Sequence, residues 1–142
     1  MLPDNQALCD HKRSPSLPRP LLGGSREPRL GLVEEVEGDV PGALRRLEVA
    51  RQCAARTTDC YVWIEAYALE ALAGVAIRAQ SRRAVEWVED LRSLAARTGM
   101  REMAAQAYLY KFELGDEDAL DGARVMAAET QNPALAAKLT AI

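Results

Sequence analysis

From residue 30 onward, apolar positions recur at helical spacing and are interrupted by short polar turns. Leu30, Val33 and Val36 form a stripe at i, i+3, i+6 that ends at Gly38. Asp39 is placed to cap the next helix, with Pro41 tolerated in its first turn. Leu44, Leu47, Ala50 and Ala54 then share one face, with Arg45, Arg46, Glu48 and Arg51 largely off it. A break follows at Thr57-Thr58-Asp59, where Asp59 is the expected cap. The next helix, from about Cys60 to Ala79, is apolar over a wide arc and is expected to be the central, most buried one. Gly74 inside it costs about 1 kcal/mol against Ala and marks a close helix approach.

Ser81 is the expected cap of a helix carrying Ala84, Val88, Leu91 and Ala95 on one side, with Trp87 and Leu94 beside them. Gly99 supplies the left-handed turn that ends it. A further helix runs from about Arg101 to Leu114. Asp116 is the expected cap of its successor, where Glu117 and Asp118 complement the helix dipole and Leu120, Ala123 and Ala127 form the apolar side. Asn132-Pro133 opens a last short helix with Leu135 and Leu139. No strand pattern competes. The expectation is an all-α chain of about seven helices in an antiparallel array, with turns at 38, 80 and 115 at solenoid-like spacing.

Residues 1–29 read differently. Pro3, Pro15, Pro18, Pro20 and Pro28, with Gly23 and Gly24, deny the backbone the donors that helices and sheets require. They are expected to form a disordered, Pro- and Arg-rich arm in front of a helical domain at 30–142. Composition adds that aromatic residues make up only 5%, so the core must be built from Leu, Val and the 25 Ala. Arg outnumbers Lys 15 to 3, a balance associated with GC-rich bacterial coding. The net charge of −3 divides into +2 on the arm and −5 on the helical part, which argues against wrapping a phosphate backbone. There is no charged start leading into an apolar run of the signal-peptide kind, and the longest apolar run, Ala71–Ile77, is far short of a membrane span. The expected location is cytoplasmic.

The chain offers little catalytic chemistry. His11 is the single histidine and lies in the arm. Cys53 and Cys60 flank one turn without a zinc-site pattern and read as small, buried, inert thiols. Leu22-Gly23-Gly24-Ser25 lacks the spacing and the Lys of a phosphate-binding loop and reads as a linker. Glu34, Glu35, Glu37, Glu65 and Glu70 are accounted for by solvated helix faces. Trp63, Tyr67, Tyr108 and Tyr110 suit either a peptide groove or the core. No catalytic residue, cofactor or metal is expected.

Residues 30–57 resemble a tetratricopeptide repeat through Leu30-Gly31, Gly38-Asp39, Ala43, Leu47 and Ala50 at that family's intervals, without the usual large aromatics of the first helix. In residues 66–95, Leu72-Ala73 and Gln80-Ser81 stand in for Leu-Gly and Gly-Asp, and Ala84, Val88 and Leu91 follow with a one-residue slip. Residues 103–130 keep Gly115-Asp116 and Ala127, again with a slip. The resemblance covers about four-fifths of the chain and implies about three degenerate repeat units that bind a protein or peptide. In the family's register the groove side would present Tyr67, Glu70, Gly74 and Arg78, with Glu102, Leu109 and Glu113 from the third unit. Tyr67 would be an apolar anchor, and Glu70 and Arg78 would set charge complementarity.

Leu91–Leu135 is also similar to the C-terminal helical region of bacterial LuxR-type and signalling-ATPase regulators, which implies a sensor or scaffold segment, isolated or truncated from a larger regulator. A second copy of the chain is a further candidate partner. Two alternatives stand beside this reading. Leu94–Tyr108 resembles a DNA-binding helix-turn-helix with a recognition helix beginning at Arg101, although Ala105 is undersized for its buried position and, of Arg101, Glu102, Met103 and Ala104, only Arg101 is cationic. The other is a gene fragment without independent function.

Overall fold

Every regular element among the described residues of the computed structural model, 26–56 and 61–142, is a helix. The seven are α1 (Arg26–Val36), α2 (Val40–Arg56), α3 (Val62–Arg78), α4 (Ala84–Thr98), α5 (Arg101–Glu113), α6 (Ala119–Ala128) and α7 (Pro133–Thr140). Each packs against its neighbour in sequence, as expected of an all-α helical array. In addition α3 packs against α1 and α5, so these three lie side by side.

Four helix ends close with the same device. Gly38, Gln80, Gly99 and Gly115 take positive φ angles of 90°, 52°, 71° and 101°. The N–H of the following residue reaches back five positions in each case. Asp39 donates to the Glu34 carbonyl at 2.9 Å, Ser81 to Ala76 at 2.8 Å, Met100 to Ala95 at 3.1 Å and Asp116 to Lys111 at 3.0 Å. This left-handed cap satisfies carbonyls that a helix end otherwise leaves open. The turns at 38, 80 and 115 are therefore equivalent in backbone geometry, although the middle one has no glycine.

Helix starts are less uniform. Asp39 Oδ1 accepts the Gly42 N–H at 2.9 Å, and Asn132 Oδ1 accepts those of Ala134 and Leu135 at 3.0 and 3.1 Å, with Pro133 in the first turn. Asp116, expected as a cap, is not one: α6 opens three residues later, and the carboxylate faces Lys111 Nζ at 3.7 Å. Ser81 Oγ accepts the Arg83 N–H at 3.3 Å within the turn, before α4 begins. The expected arm overlaps α1, which starts at Arg26 and includes Pro28. Proline is accommodated there because the first turn has no intrahelical use for its missing N–H. The rest of the arm, residues 1–25, and the Asp59 cap lie outside the described residues.

The core has two parts. The first gathers Leu47 from α2, Leu69, Leu72 and Val75 from α3, Trp87, Val88, Leu91 and Leu94 from α4, and Tyr110 from α5. α3 is buried at nearly every position from Ile64 to Ala76, as a helix flanked on four sides must be. The second joins Ala105 and Leu109 of α5, Ala123 of α6 and Leu135 of α7. One expectation fails at α1. Val33 and Val36 of its apolar stripe are 50% and 87% exposed, and Gly31 is buried instead. A Cβ at Gly31 would come within 2.7 Å of Leu47 Cγ, so the missing side chain sets how closely α1 approaches α2. Glu34 and Glu35 then reach Arg46 and Arg78 in ion pairs, and this polar face is the one turned inward.

Candidate functional site

A groove of about 210 Å³ runs between α3, α5 and α7. Tyr67 and Glu70 come from α3, Glu102, Met103 and Gln106 from α5, and Asn132, Leu135 and Lys138 from α7. Its volume falls below the roughly 300–1,000 Å³ of drug-sized pockets, so it suits a side chain of a larger partner better than a whole small molecule.

On the α3 wall, Tyr67 is half exposed and meets the equally exposed Trp63 edge-on, ring centroids 6.1 Å apart and planes at 86°. The pair is one helical turn apart, which places both rings on one face. Exposed large aromatics are costly to leave in water and are typical anchors of interfaces. One turn on, Glu70 Oε1 accepts the hydroxyl of Tyr110 at 2.8 Å. Burial, and then the adjacent Glu70 carboxylate, push the Tyr110 phenol above its ordinary range, so it stays protonated and donating. Gly74 makes that bond possible, because a Cβ there would lie 2.8 Å from the Tyr110 hydroxyl oxygen. The close approach expected at Gly74 is thus a crossing of α3 and α5.

On the α5 wall, Gln106 is 9% exposed. Lys138 Nζ donates to its Oε1 at 3.2 Å. An ammonium can only donate, so this bond fixes the amide orientation and turns Nε2 away from Lys138. Glu102 is exposed at the start of α5.

Of the residues expected on the groove side, Tyr67, Glu70 and Glu102 meet in this groove and Gly74 lies behind it at the helix crossing. Arg78 is engaged elsewhere: its guanidinium binds both carboxylate oxygens of Glu35 on α1 at 2.7 and 2.9 Å, which raises its pKa further. Glu113 is exposed but lines no part of the groove. Leu109 is 2% exposed in the second core, since α6 and α7 cover that side of α5. Met103, Gln106 and the α7 wall were not foreseen. Asn132-Pro133 marks the start of α7 in the sequence, but nothing in its periodicity says which helix it faces.

The other candidates resolve as follows. Trp63 and Tyr67 are at the surface, whereas Tyr110 is core and the Tyr108 ring lies against Gly122 and the second core. Glu34, Glu35 and Glu70 carry specific partners and Glu65 is 8% exposed, so solvation alone does not account for these carboxylates. Cys53 is not an inert buried thiol: it is partly exposed and disulfide-bonded, with its partner outside the described residues. The supposed recognition helix, α5, is covered by α3, α4 and α6, and Arg101 is paired with Glu129.

Among the described residues, no group of three or more His, Cys, Asp and Glu side chains is placed to hold a metal ion, and no helix is long and apolar enough to cross a membrane. No protein-family model, curated protein or solved structure matches the chain.

Proposed function

We propose that this chain is a protein- or peptide-binding module of tetratricopeptide-like construction, with the α3–α5–α7 groove as its binding surface. The observation that carries the reading is the exposed Tyr67 ring, set edge-on to Trp63, on the wall of a groove that Glu70, held by Tyr110, also lines. A preorganised aromatic anchor loses little entropy on binding. The tetratricopeptide-like assignment is supported by the Gly31–Leu47 approach, by the equivalent closures at 38, 80 and 115, and by the side-by-side arrangement of α1, α3 and α5. Following the resemblance of Leu91–Leu135, the module serves as a sensor or scaffold segment in a bacterial transcriptional regulatory system. That role is a cytoplasmic, non-enzymatic one.

Photo-crosslinking tests the surface. A benzophenone side chain at Met103 lies in the groove, while one at Val125, 61% exposed on α6, lies outside it. Partners are expected to crosslink from position 103 and to be lost when Tyr67→Ala is added. Equal yields from both positions, unaffected by Tyr67→Ala, would remove the groove from consideration.

A further inference from the structure

α1 stands at one end of the array with an apolar face uncovered. Leu32, Val33 and Val36 are 38%, 50% and 87% exposed. Elsewhere in the molecule the equivalent positions are covered. Val33 lies five residues before Gly38, as Val75 lies five before Gln80 and Tyr110 five before Gly115, and the three caps share one backbone geometry. Val75 is 0% exposed and Tyr110 7%, both in the first core. Leu32, six before its cap, is matched in α5 by Leu109, which is also buried. The difference is the neighbour. α3 packs on α2 and α5 on α4, in each case the helix before it in the chain, whereas no described helix precedes α1. Five residues connect α2 to α3, a link short enough to make the two antiparallel. The exposed face of α1 thus continues an interface that the array forms twice within itself, and it fits an antiparallel helix with an apolar side.

We propose that this face pairs with α1 of a second copy of the chain, in a two-fold dimer. Repeat arrays need their ends covered. The far end is closed by α7, which packs on α6, so it offers no equivalent open helix for head-to-tail stacking. The α1 stripe is instead complementary to itself. Leu30 and Val36 stand three residues either side of Val33, and Arg29 and Glu37 stand four. An antiparallel pair centred on Val33 sets apolar positions against apolar ones, and brings residue 29 of each copy level with residue 37 of the other, an Arg with a Glu. A contact one helix wide is smaller than the roughly 800 Å² per partner of a stable interface, so the dissociation constant falls in the range of roughly tens of micromolar. None of the residues lining the α3–α5–α7 groove belongs to α1, so the dimer carries two grooves clear of the contact and gains avidity for a partner that can reach both.

Sedimentation velocity of the full chain across a concentration series from about 1 to about 300 μM tests the pairing. A monomer–dimer equilibrium is expected, with Val36→Glu raising its dissociation constant about ten-fold or more. Val36 is 87% exposed, so the variant keeps its helical fold, which circular dichroism verifies. Arg29→Glu is expected to weaken the dimer and the double swap Arg29→Glu/Glu37→Arg to restore it, a rescue that a merely structural role of either residue would not produce. A benzophenone side chain at Val33 is expected to join two copies through α1. A chain that stays monomeric across the series, or a dimer indifferent to Val36→Glu, overturns the proposal. Failure of the double swap to restore the dimer overturns the two-fold register. Crosslinks from position 33 to residues 1–25 of the same chain overturn the proposal in favour of the chain's own N-terminal segment as the cover.

Discussion

Gln80 holds a left-handed backbone conformation, φ 52°, at the turn where Gly38 and Gly115 stand in the equivalent places. A side chain in that region meets the following carbonyl, at a cost of about 1–2 kcal/mol that glycine avoids. Gln80→Gly is therefore expected to raise stability by about 1 kcal/mol, and Gly115→Ala to lower it by a similar amount. Thermal melts read this as shifts of about 4 °C in opposite directions, and two unchanged melting temperatures would mean that neither backbone position is strained. The same scale explains Gly74. With Tyr110 present, Gly74→Ala sets a methyl group 2.8 Å from the phenol oxygen, which Glu70 holds in place, so a net loss of about 1–2 kcal/mol is expected despite the better helix propensity. In a Tyr110→Phe background the nearest ring atom is 3.6 Å away and only Arg78 Nη1, at 3.2 Å, still crowds the methyl group, so the same substitution should cost at least about 1 kcal/mol less than it does beside Tyr110. Denaturant titration of the four chains measures this coupling, and additive effects would refute the steric account.

Between elements, Glu48 ties α2 to α4. It accepts Trp87 Nε1–H at 3.2 Å, Arg51 at 2.9 and 3.2 Å and Gln52 at 3.0 Å, and Arg83 stacks 4.3 Å over the same indole. Burial works to raise the Glu48 pKa, but the hydrogen bonds from Arg51 and Gln52 outweigh it and hold the carboxyl below its usual 4.5. A folded-state pKa below the unfolded one gives stability that is complete above the unfolded value and lost as pH falls through the folded value. Glu48→Gln should therefore cost about 1 kcal/mol at pH about 6, and the gap between the two chains should close towards pH about 3. Urea melts at both pH values check it, and a gap independent of pH would exclude the ionised carboxylate as its source. α2 and α4 were legible in the sequence because their buried residues fall on one side: Leu47, Ala50 and Ala54 on α2, and Val88, Leu91 and Ala95 on α4. The helix at α1 and its end at Gly38 were legible too, but its buried face was not, because that face is built from Gly31 and two ion-paired glutamates while its valines face water. Tyr67, Glu70 and Glu102 were recoverable from a family register carried on single helices. Gln106 and the α7 wall were not, since a groove wall contributed by the last helix depends on how the array curls and not on periodicity.

At the scale of the whole molecule, α5 is the one helix among the described residues that gives buried side chains to both cores, Ala107 and Tyr110 to the first and Ala105 and Leu109 to the second. Helical arrays of this kind are nearly one-dimensional, so their ends open at lower free energy than their middle. Leu135 is the one fully buried α7 side chain of the second core, 5% exposed, with Leu139 packed beside it, and it also lines the groove. Leu135→Ala should cost about 2–3 kcal/mol. It should also speed amide hydrogen exchange in α7 and α6 while leaving α3 and α4 unchanged. Leu72→Ala, fully buried in the first core, should speed exchange in every helix. On the proposed groove reading the contrast bears on binding, because α7 supplies one groove wall and Lys138 fixes the Gln106 amide from it. Fraying of α7 should weaken partner binding even where most of the array remains folded. Hydrogen-exchange mass spectrometry with a binding measurement on the Leu135→Ala chain separates the possibilities. Uniform acceleration along the chain would mean a single cooperative unit. Local acceleration with undiminished binding would mean that α7 is no part of the recognition surface.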